Sequence, residues 1–347
     1  MTTIPDRTSA IEEVTRWIGV ETTYDGADDV SRNDIRRKLE VYCLHCPIYT
    51  DDAVAQRFGY RTAVAPVAMV PLWALPPYWS PEEAPIFGPG LKEKEAGARN
   101  TMPTPWKNGL NASNEVALFE PVYPGDRLRS VYKLVEVKPR TTRLGEGVFL
   151  TFETTITKHS GETVAVRRNT AFRWDSDSPA ERRSHRDPAD DEQSTDVSKA
   201  SPFNDTVDWG RQLRLRDVRV GDIVPTYNLW LSYQRIVMSV AVDRMFSPIH
   251  HNRDRAREGG LDDIIFNTRG YEMFLELTLR RWIGLEGRIL KMGPFRMKGA
   301  GPPGDTLVCG GSVTAVEPDS GRVVLDFWVD SPRGRGTKGE ATVWLPT

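Results

Sequence analysis

The residue of this sequence best suited to chemistry is His250, which ends the run Ser247-Pro248-Ile249-His250 and is followed six positions later by Ala256. An imidazole has an unperturbed pKa of ~6.5, so it can take up or release a proton near neutral pH. A histidine at the start of a loop can also be an ordinary polar side chain, so the motif needs support from its surroundings. We interpret the adjacent His251 as a neighbour that hydrogen-bonds or faces solvent.

The same pattern occurs earlier in the chain, and this repeat supports the motif. Tyr49 ends the run Cys-Pro-Ile-Tyr, has an alanine six positions later, and lies 201 positions before His250. A Pro-Gly-Asp turn follows each run and ends at Asp126 and Asp305, which are 179 positions apart. The difference of 22 predicts an insertion in the first part, within the Trp- and Pro-rich stretch 73–106. Such internal similarity indicates one structural unit used twice.

The elements around these motifs are predicted from local pattern. β-branched and aromatic runs separated by turns follow both Asp126 and Asp305, which is typical of antiparallel strands. Residues 268–283 predict a long helix whose apolar residues cover most of its surface, so we expect it to be buried. Residues 66–75 are a weaker counterpart in the first part. A buried helix followed by strands, repeated, predicts an α+β fold.

Composition sets the outer limits. The 347 residues carry 46 Lys and Arg against 48 Asp and Glu, a net charge of -2, which argues against a dedicated nucleic-acid binder. Residues 176–204 are polar and charged and predict a linker between domains at 1–175 and 205–347. No apolar run is long enough to span a membrane, and the first residues do not resemble a secretory signal, so a soluble cytoplasmic protein is expected.

The three cysteines do not suggest a disulfide framework. Cys43 and Cys46 have the spacing of half a zinc site, but Cys309 is the only other thiol in the chain, whereas a closed site needs four ligands. We therefore expect buried structural cysteine and no metal.

The run SPIHHNRDRA resembles the motif of the MaoC-like hot-dog hydratases, roughly Asp-x-Asn-Pro-Ile/Leu-His-x5-Ala. The resemblance implies a double hot-dog, two long helices each wrapped by an antiparallel sheet, with a degenerate, FAS1-like dehydratase first half. It implies a lyase that reversibly hydrates 2-enoyl thioesters to (R)-3-hydroxyacyl thioesters in fatty acid or steroid metabolism. The substrate would be an acyl-CoA or acyl-carrier thioester, no cofactor would be needed, and a homodimer would be plausible.

The resemblance also implies roles for individual residues. His250 takes the position of the base, and the backbone N–H at Thr268, next to Asn267, takes that of the donor to the enolate oxygen. The family's aspartate position holds Met245, which cannot transfer a proton. Asp243 or Glu276 is left to supply the acid, although Asp243 could simply pair with Arg244 and Glu276 with Arg280.

In the first half, Tyr49 stands at the histidine position and is a poor base at neutral pH. That half is therefore expected to shape an acyl tunnel rather than hydrate, with Tyr49, His251, Asn267 and Thr268 as substrate-binding residues. Two alternatives stay open on the same fold: another acyl-thioester reaction such as hydrolysis, which a carboxylate on the central helix would favour, and a non-catalytic acyl-binding subunit.

Overall fold

The computed structural model describes most of the chain. The described residues are 7–89, 102–103, 106, 108–142, 145–175, 197, 200–201, 204–258, 261–297, 299 and 301–347. The predicted linker at 176–204 lies almost entirely outside these residues, as do residues 90–101 of the predicted insertion.

The described strands form one continuous antiparallel sheet. They are β1 (Glu21–Asp25), β2 (Asn108–Leu118), β3 (Leu128–Thr142), β4 (Gly145–Lys158), β5 (Thr163–Trp174), β6 (Ile223–Trp230), β7 (Arg288–Met297), β8 (Thr306–Glu317), β9 (Arg322–Ser331) and β10 (Gly334–Trp344). Their order across the sheet is β1-β3-β4-β5-β2-β7-β10-β9-β8-β6. The order is symmetric about the centre, so two five-stranded half-sheets with the same topology join where β2 pairs with β7.

The helices repeat in the same way. They are α1 (Arg7–Thr15), α2 (Arg32–Tyr42), α3 (Pro47–Thr50), α4 (Asp52–Arg57), α5 (Val70–Trp73), α6 (Tyr233–Asp243), α7 (Arg253–Glu258) and α8 (Thr268–Ile283). Short 3₁₀ turns lie at Val67–Met69, Leu215–Asp217 and Pro248–His250. The offset of 201 that relates Tyr49 to His250 also relates α2 to α6 and α4 to α7.

The ends of α2 and α6 show how closely the two halves correspond. Ser31 and Ser232 cap the two helices by accepting hydrogen bonds from backbone N–H groups of the first turn. Cys43 and Arg244 follow the last helical residues, both in the left-handed region, with φ angles of 51° and 53°. The chain therefore leaves both helices in the same direction, towards Tyr49 in one half and His250 in the other.

The long helix predicted at 268–283 is confirmed as α8, and 13 of its 16 residues are buried. The side chain of Asn267 caps it by accepting a hydrogen bond from the N–H of Gly270 at 2.5 Å. The ring of Phe266 packs so closely on Gly270 that a Cβ there would lie 2.4 Å from it. This packing brings the start of α8 against the segment before it, which includes His250.

The double hot-dog expected from the sequence is confirmed, but the expectation of two long helices is not met in the described residues. The counterpart of α8 covers only Val67–Trp73, a 3₁₀ turn followed by the short α5. Pro71 lacks an N–H and its ring would clash with the carbonyl four residues earlier, so a regular α-helix from Val67 cannot form. Pro76 and Pro77 prevent continuation beyond Leu75.

One hydrophobic core extends through both halves. It includes Trp73 and Val116 from the first half and Phe274 and Met292 from the second. Because both the sheet and the core are continuous, the first half packs directly against the second. In the described part of the chain, no helix has the length and apolar character to cross a membrane.

Candidate active site

His250 lies in the turn that follows α6, with 8% of its surface exposed. Its Nδ1 is 2.8 Å from the carbonyl oxygen of Ile265. A carbonyl can only accept, so Nδ1 carries the proton and Nε2 is left with a free lone pair. Burial lowers the pKa of His250 below its usual value. The imidazole is therefore neutral near pH 7 and, in the described part of the chain, its Nε2 forms no hydrogen bond to another residue.

The start of α8 offers two unused backbone donors. The first N–H groups of a helix have no partner inside it and carry partial positive charge. Asn267 accepts those of Gly270, through its side chain, and of Tyr271, through its carbonyl at 3.2 Å. Among the described residues, the N–H groups of Thr268 and Arg269 have no acceptor. The helix start can therefore bind an anionic oxygen.

The first half shows how the corresponding groups are arranged, because a side chain from α8 occupies the space between them. The Tyr49 hydroxyl donates to Oε1 of Glu276 at 2.5 Å. The N–H of Val67 donates to the same oxygen at 2.9 Å. The N–H of Ala68 donates to Oε2 at 2.7 Å. A side-chain tip and two successive amides therefore converge on one carboxylate.

By the offset of 201, the counterparts of these three groups are His250 and the N–H groups of Thr268 and Arg269. In the first half the position is filled by an internal carboxylate, whereas in the second half the imidazole Nε2 and both amides have no partner among the residues that the structure describes. The architecture that binds Glu276 in one half thus provides a base and an oxygen-binding pair in the other. This internal comparison locates the candidate active site at His250 and the start of α8.

Of the two alternatives for the acid, Glu276 lies with Tyr49 and not with His250. The side chain is fully buried, and both its oxygens accept hydrogen bonds from the first half. Burial raises the pKa of Glu276, while the donors from Tyr49, Ala68 and Val67 act in the opposite direction. Its contacts explain why a carboxylate is tolerated on a buried helix: it caps the short helix of the other half.

Asp243, the other alternative, is the last residue of α6 and is buried. Its Oδ1 is 2.5 Å from Nζ of Lys38, which reaches it from α2 in the first half. Its Oδ2 accepts a hydrogen bond from the Ser239 hydroxyl at 3.2 Å. Asp243 is therefore paired with Lys38 and not with Arg244. Its negative charge is near enough to raise the pKa of His250, although this is a smaller effect than burial.

The remaining predicted residues surround the same place. The Nδ2 of Asn267 donates to Ser239 at 3.4 Å, which connects the start of α8 to the Asp243 carboxylate. Thr268 accepts a hydrogen bond from Asn111 of β2 at 3.4 Å through its hydroxyl. Nε2 of His251 is 3.1 Å from the carbonyl oxygen of Phe246, so this ring supports the loop. Met245, where the family's aspartate would stand, is half-buried.

Sequence analysis missed Lys38 and Arg269. Lys38 is fully buried, and Arg269 is buried with its Nη1 donating to the Asp243 carbonyl at 3.0 Å. A signal for Lys38 was present: with Ile35 and Tyr42 it occupies i, i+3 and i+7, so it shares a face with apolar residues. The local sequence does not indicate that its partner is Asp243, which lies 205 residues away.

The thiols are arranged as separate side chains. Cys46 and Cys309 are buried, as expected for structural cysteine, while Cys43 is exposed and accepts a long contact from Arg235 at 3.8 Å. Burial raises the pKa of both Cys46 and Cys309 to about 12. In the described residues no three His, Cys, Asp or Glu side chains are grouped to hold a metal ion.

Comparison with known proteins agrees with this description. Residues 16–167 match the family model for the FAS1-like dehydratase domain region. A probable enoyl-CoA hydratase alpha subunit from Thermomonospora curvata is 29% identical over 160 residues. The match covers 44% of this chain and 48% of that protein, so the chain spans about half the length of this relative.

Solved structures match the fold over nearly the whole chain. A MaoC-like dehydratase is 18% identical with a TM-score of 0.71, covering 96% of this chain and 100% of that one. A conserved hypothetical protein from Mycobacterium tuberculosis with a double hot-dog fold is 12% identical with a TM-score of 0.58, covering 93% and 95%. Residues 16–167 are therefore similar to the FAS1-like dehydratase domain region, and the whole chain has the double hot-dog fold of these structures.

Proposed function

We propose that the chain catalyses the reversible hydration of 2-enoyl thioesters, with CoA as the carrier, to (R)-3-hydroxyacyl thioesters. The observation that carries this proposal is the internal comparison of the two halves. An oxygen atom in the first half is held at once by the side chain at position 49 and the amide at position 67. The corresponding positions in the second half, 250 and 268, hold an imidazole nitrogen and an amide that no described residue engages.

The reaction follows from these groups. Nε2 of His250 takes a proton from water, and the hydroxide oxygen bonds to C3 of the enoyl group. The C2–C3 π electrons form a C1–C2 double bond, and the carbonyl π electrons move to the thioester oxygen, whose developing charge is bound by the N–H groups of Thr268 and Arg269. The imidazolium then gives its proton to C2, and the thioester carbonyl re-forms.

This cycle needs only one proton-transferring side chain. Water adds as a whole, so the proton that His250 removes is the proton that C2 requires. The absence of a carboxylate at Met245 is therefore compatible with hydration. Asp243 is not needed as a proton donor, and its two oxygens already contact Lys38 and Ser239. An imidazole is also shorter than a phenol, so His250 leaves room for reactants that a tyrosine at the same position would occupy.

The test is a turnover assay with crotonyl-CoA and longer 2-enoyl-CoA thioesters. Replacing His250 by glutamine is expected to lower kcat/KM by about 10²–10⁴-fold, the usual contribution of a general base. The matched control is His159→Gln, since His159 is an exposed histidine on the first half. Unchanged turnover in His250→Gln would exclude this imidazole as the base.

A second candidate is an acyl-thioester-binding subunit that needs a partner, and the name of the Thermomonospora curvata relative as an alpha subunit favours testing it. This candidate predicts saturable binding of acyl-CoA without turnover by the chain alone. A free-thiol assay separates both candidates from thioester hydrolysis, because only hydrolysis releases CoA. Sedimentation in the same buffers tests the predicted homodimer.

A further inference from the structure

A buried ion pair joins the two halves beside the candidate active site. Lys38 of α2 and Asp243 of α6 approach to 2.5 Å, and their side chains are 1% and 4% exposed. Removing two charges from water is costly before their attraction is counted, so such a pair is weak support for stability. Its retention at this place suggests another role.

The pair is made only once, although the helices are repeated. By the offset of 201, Lys38 corresponds to Ser239 and Asp243 corresponds to Tyr42. The equivalent pair in the repeat is therefore Ser239 and Tyr42, two buried side chains that carry hydroxyl groups instead of charged groups. The charged pair, Lys38 and Asp243, includes the last residue of α6, the helix that precedes the turn carrying His250.

Asp243 is connected to each group proposed to act in the reaction. Its charge raises the pKa of His250. Through Ser239 it is linked to Asn267, the residue that caps α8 just before the amides proposed to bind the enolate. Its carbonyl accepts a hydrogen bond from Arg269, the second residue of the same helix.

We infer that Lys38 is a positioning residue of the second half's active site: its ion pair holds the Asp243 carboxylate in place beside the start of α8, and the two opposite charges of the pair together set the pH at which His250 gains a proton. This inference rests on the proposed function, and it assigns the first half a direct part in that chemistry. The first half is then more than the wall of an acyl tunnel, because it supplies the counter-charge of the site.

Other charged or titratable groups lie around Asp243, His250 and Arg269. Tyr42 on α2 and Arg269 on α8 interact electrostatically with Asp243, and His251 interacts with His250. Arg244 after α6, Glu272 on α8 and Arg167 on β5 interact with Arg269. Burial raises the pKa of Tyr42, so it stays neutral. Arg167 and Glu272 pair with each other at 2.5 Å. None of these groups changes in the variants below, so they act equally in every comparison.

The experiment follows the titration of the His250 ring by NMR in the full chain, with the resonance identified by its loss in His250→Gln. In Asp243→Asn the site keeps the positive charge of Lys38 and loses the negative one, so the midpoint is expected to move down by at least about 0.5 pH unit. In Lys38→Met the carboxylate remains, held by Ser239, and the midpoint is expected to move up by a similar amount. Lys38→Arg keeps the charge and is expected to keep the midpoint.

The matched control is Arg36→Met, which removes one positive charge from the exposed side of the same helix. It is expected to leave the His250 midpoint unchanged. Midpoints that are unchanged, or that move in the same direction in Lys38→Met and Asp243→Asn, would overturn the inference. If Lys38→Met does not fold, Asp243→Asn decides alone, since only a downward shift agrees with the inference.

Turnover of crotonyl-CoA by the same samples separates this inference from the proposed function. Opposite shifts without any turnover, including in the unaltered chain, would leave the coupling of Lys38 to His250 intact and reject the hydratase proposal. Turnover that depends on His250, with a His250 midpoint that does not change in the Lys38 and Asp243 variants, would support the hydratase proposal and reject the coupling of Lys38 to His250.

Discussion

At the scale of single residues, one hydrogen bond and burial prepare His250 as a base. The carbonyl of Ile265 determines which nitrogen is protonated, and the enclosed position keeps the ring neutral. Tyr49 shows the contrast, because burial raises its pKa well above the usual value and its hydroxyl donates to Glu276. The two halves therefore differ both in the side chain at this position and in the carboxylate that fills the first half.

The lowered pKa of His250 predicts how stability depends on pH. The unfolded chain binds a proton at an imidazole with a pKa of ~6.5, and the folded chain binds it only at lower pH. The stabilising contribution is therefore complete above about pH 6.5 and is lost as the pH falls from there towards the folded pKa.

Urea unfolding of the unaltered chain and of His250→Gln, at about pH 7.5 and about pH 5.5, measures this contribution. The free energy of unfolding should fall less on acidification in the glutamine variant. His159→Gln serves as the control, because that exposed ring should not change the pH dependence. Equal losses in the unaltered chain and in His250→Gln would show that the ring is not buried in its neutral form.

At the scale of elements, α8 serves both halves. Its start presents to the second half two amides that no described residue accepts, and its third turn carries Glu276 into the first half. Replacing Glu276 by alanine leaves the Tyr49 hydroxyl and the amides of Val67 and Ala68 buried without an acceptor. We expect a loss of about 3 kcal/mol or more in unfolding free energy.

Glu276→Gln keeps an acceptor and the side-chain volume, so its loss should be smaller, and Tyr49→Phe should cost about 1 kcal/mol. Urea unfolding of the three variants gives the comparison. If Glu276→Gln remained stable but lost turnover as completely as His250→Gln, Glu276 would be the catalytic acid and the assignment made above would be wrong.

The amide of Thr268 can be removed without breaking α8. Proline is tolerated at the first position of a helix, and Asn267 before it already has the extended backbone that a following proline requires, with φ -83° and ψ 159°. Thr268→Pro is expected to lower kcat by about 10²–10³-fold, the usual effect of losing one oxyanion donor.

Thr268→Ala is the control for this substitution, because it keeps the N–H and loses the same hydroxyl contact to Asn111. Circular dichroism checks that both variants keep their helix. Retained turnover in Thr268→Pro would mean that this amide does not bind the developing charge.

Much of this arrangement could be predicted from sequence. The offset of 201 indicated one unit used twice, and the apolar run at 268–283 predicted a buried helix with its correct bounds, whereas α2, α4, α6 and α7 were not predicted. The length of the first half's short helix could not be predicted from the sequence pattern alone, although Pro71 indicated that a helix there would be interrupted. The direction of Glu276 was beyond prediction, because a helix that is buried all round has no solvent face from which to infer what each residue contacts.

At the scale of the whole molecule, the halves are joined by backbone pairing, a shared core and buried polar contacts. The pair between Lys38 and Asp243 could not be predicted, since it depends on how α2 crosses α6 and not on any local spacing. The hydroxyl of Tyr42 adds a second contact of this kind, to the carbonyl of Gly270 at 2.7 Å.

These contacts predict that residues 205–347 alone cannot form the active site. Without the first half, β7 loses its neighbour β2 and Asp243 loses Lys38. We expect the isolated second half to show no turnover and the two halves produced together as separate chains to recover part of it. A second half that turns over at the rate of the full chain would contradict the role given to the first half.

The proposed hydration requires one reactant position between Nε2 of His250 and the amide of Thr268. A crystal structure of the full chain with bound (R)-3-hydroxybutyryl-CoA is the decisive measurement. We expect the 3-hydroxyl within about 3 Å of Nε2 and the thioester oxygen within about 3 Å of the Thr268 nitrogen. A thioester bound elsewhere, with the His250 ring out of reach of the ligand, would contradict it.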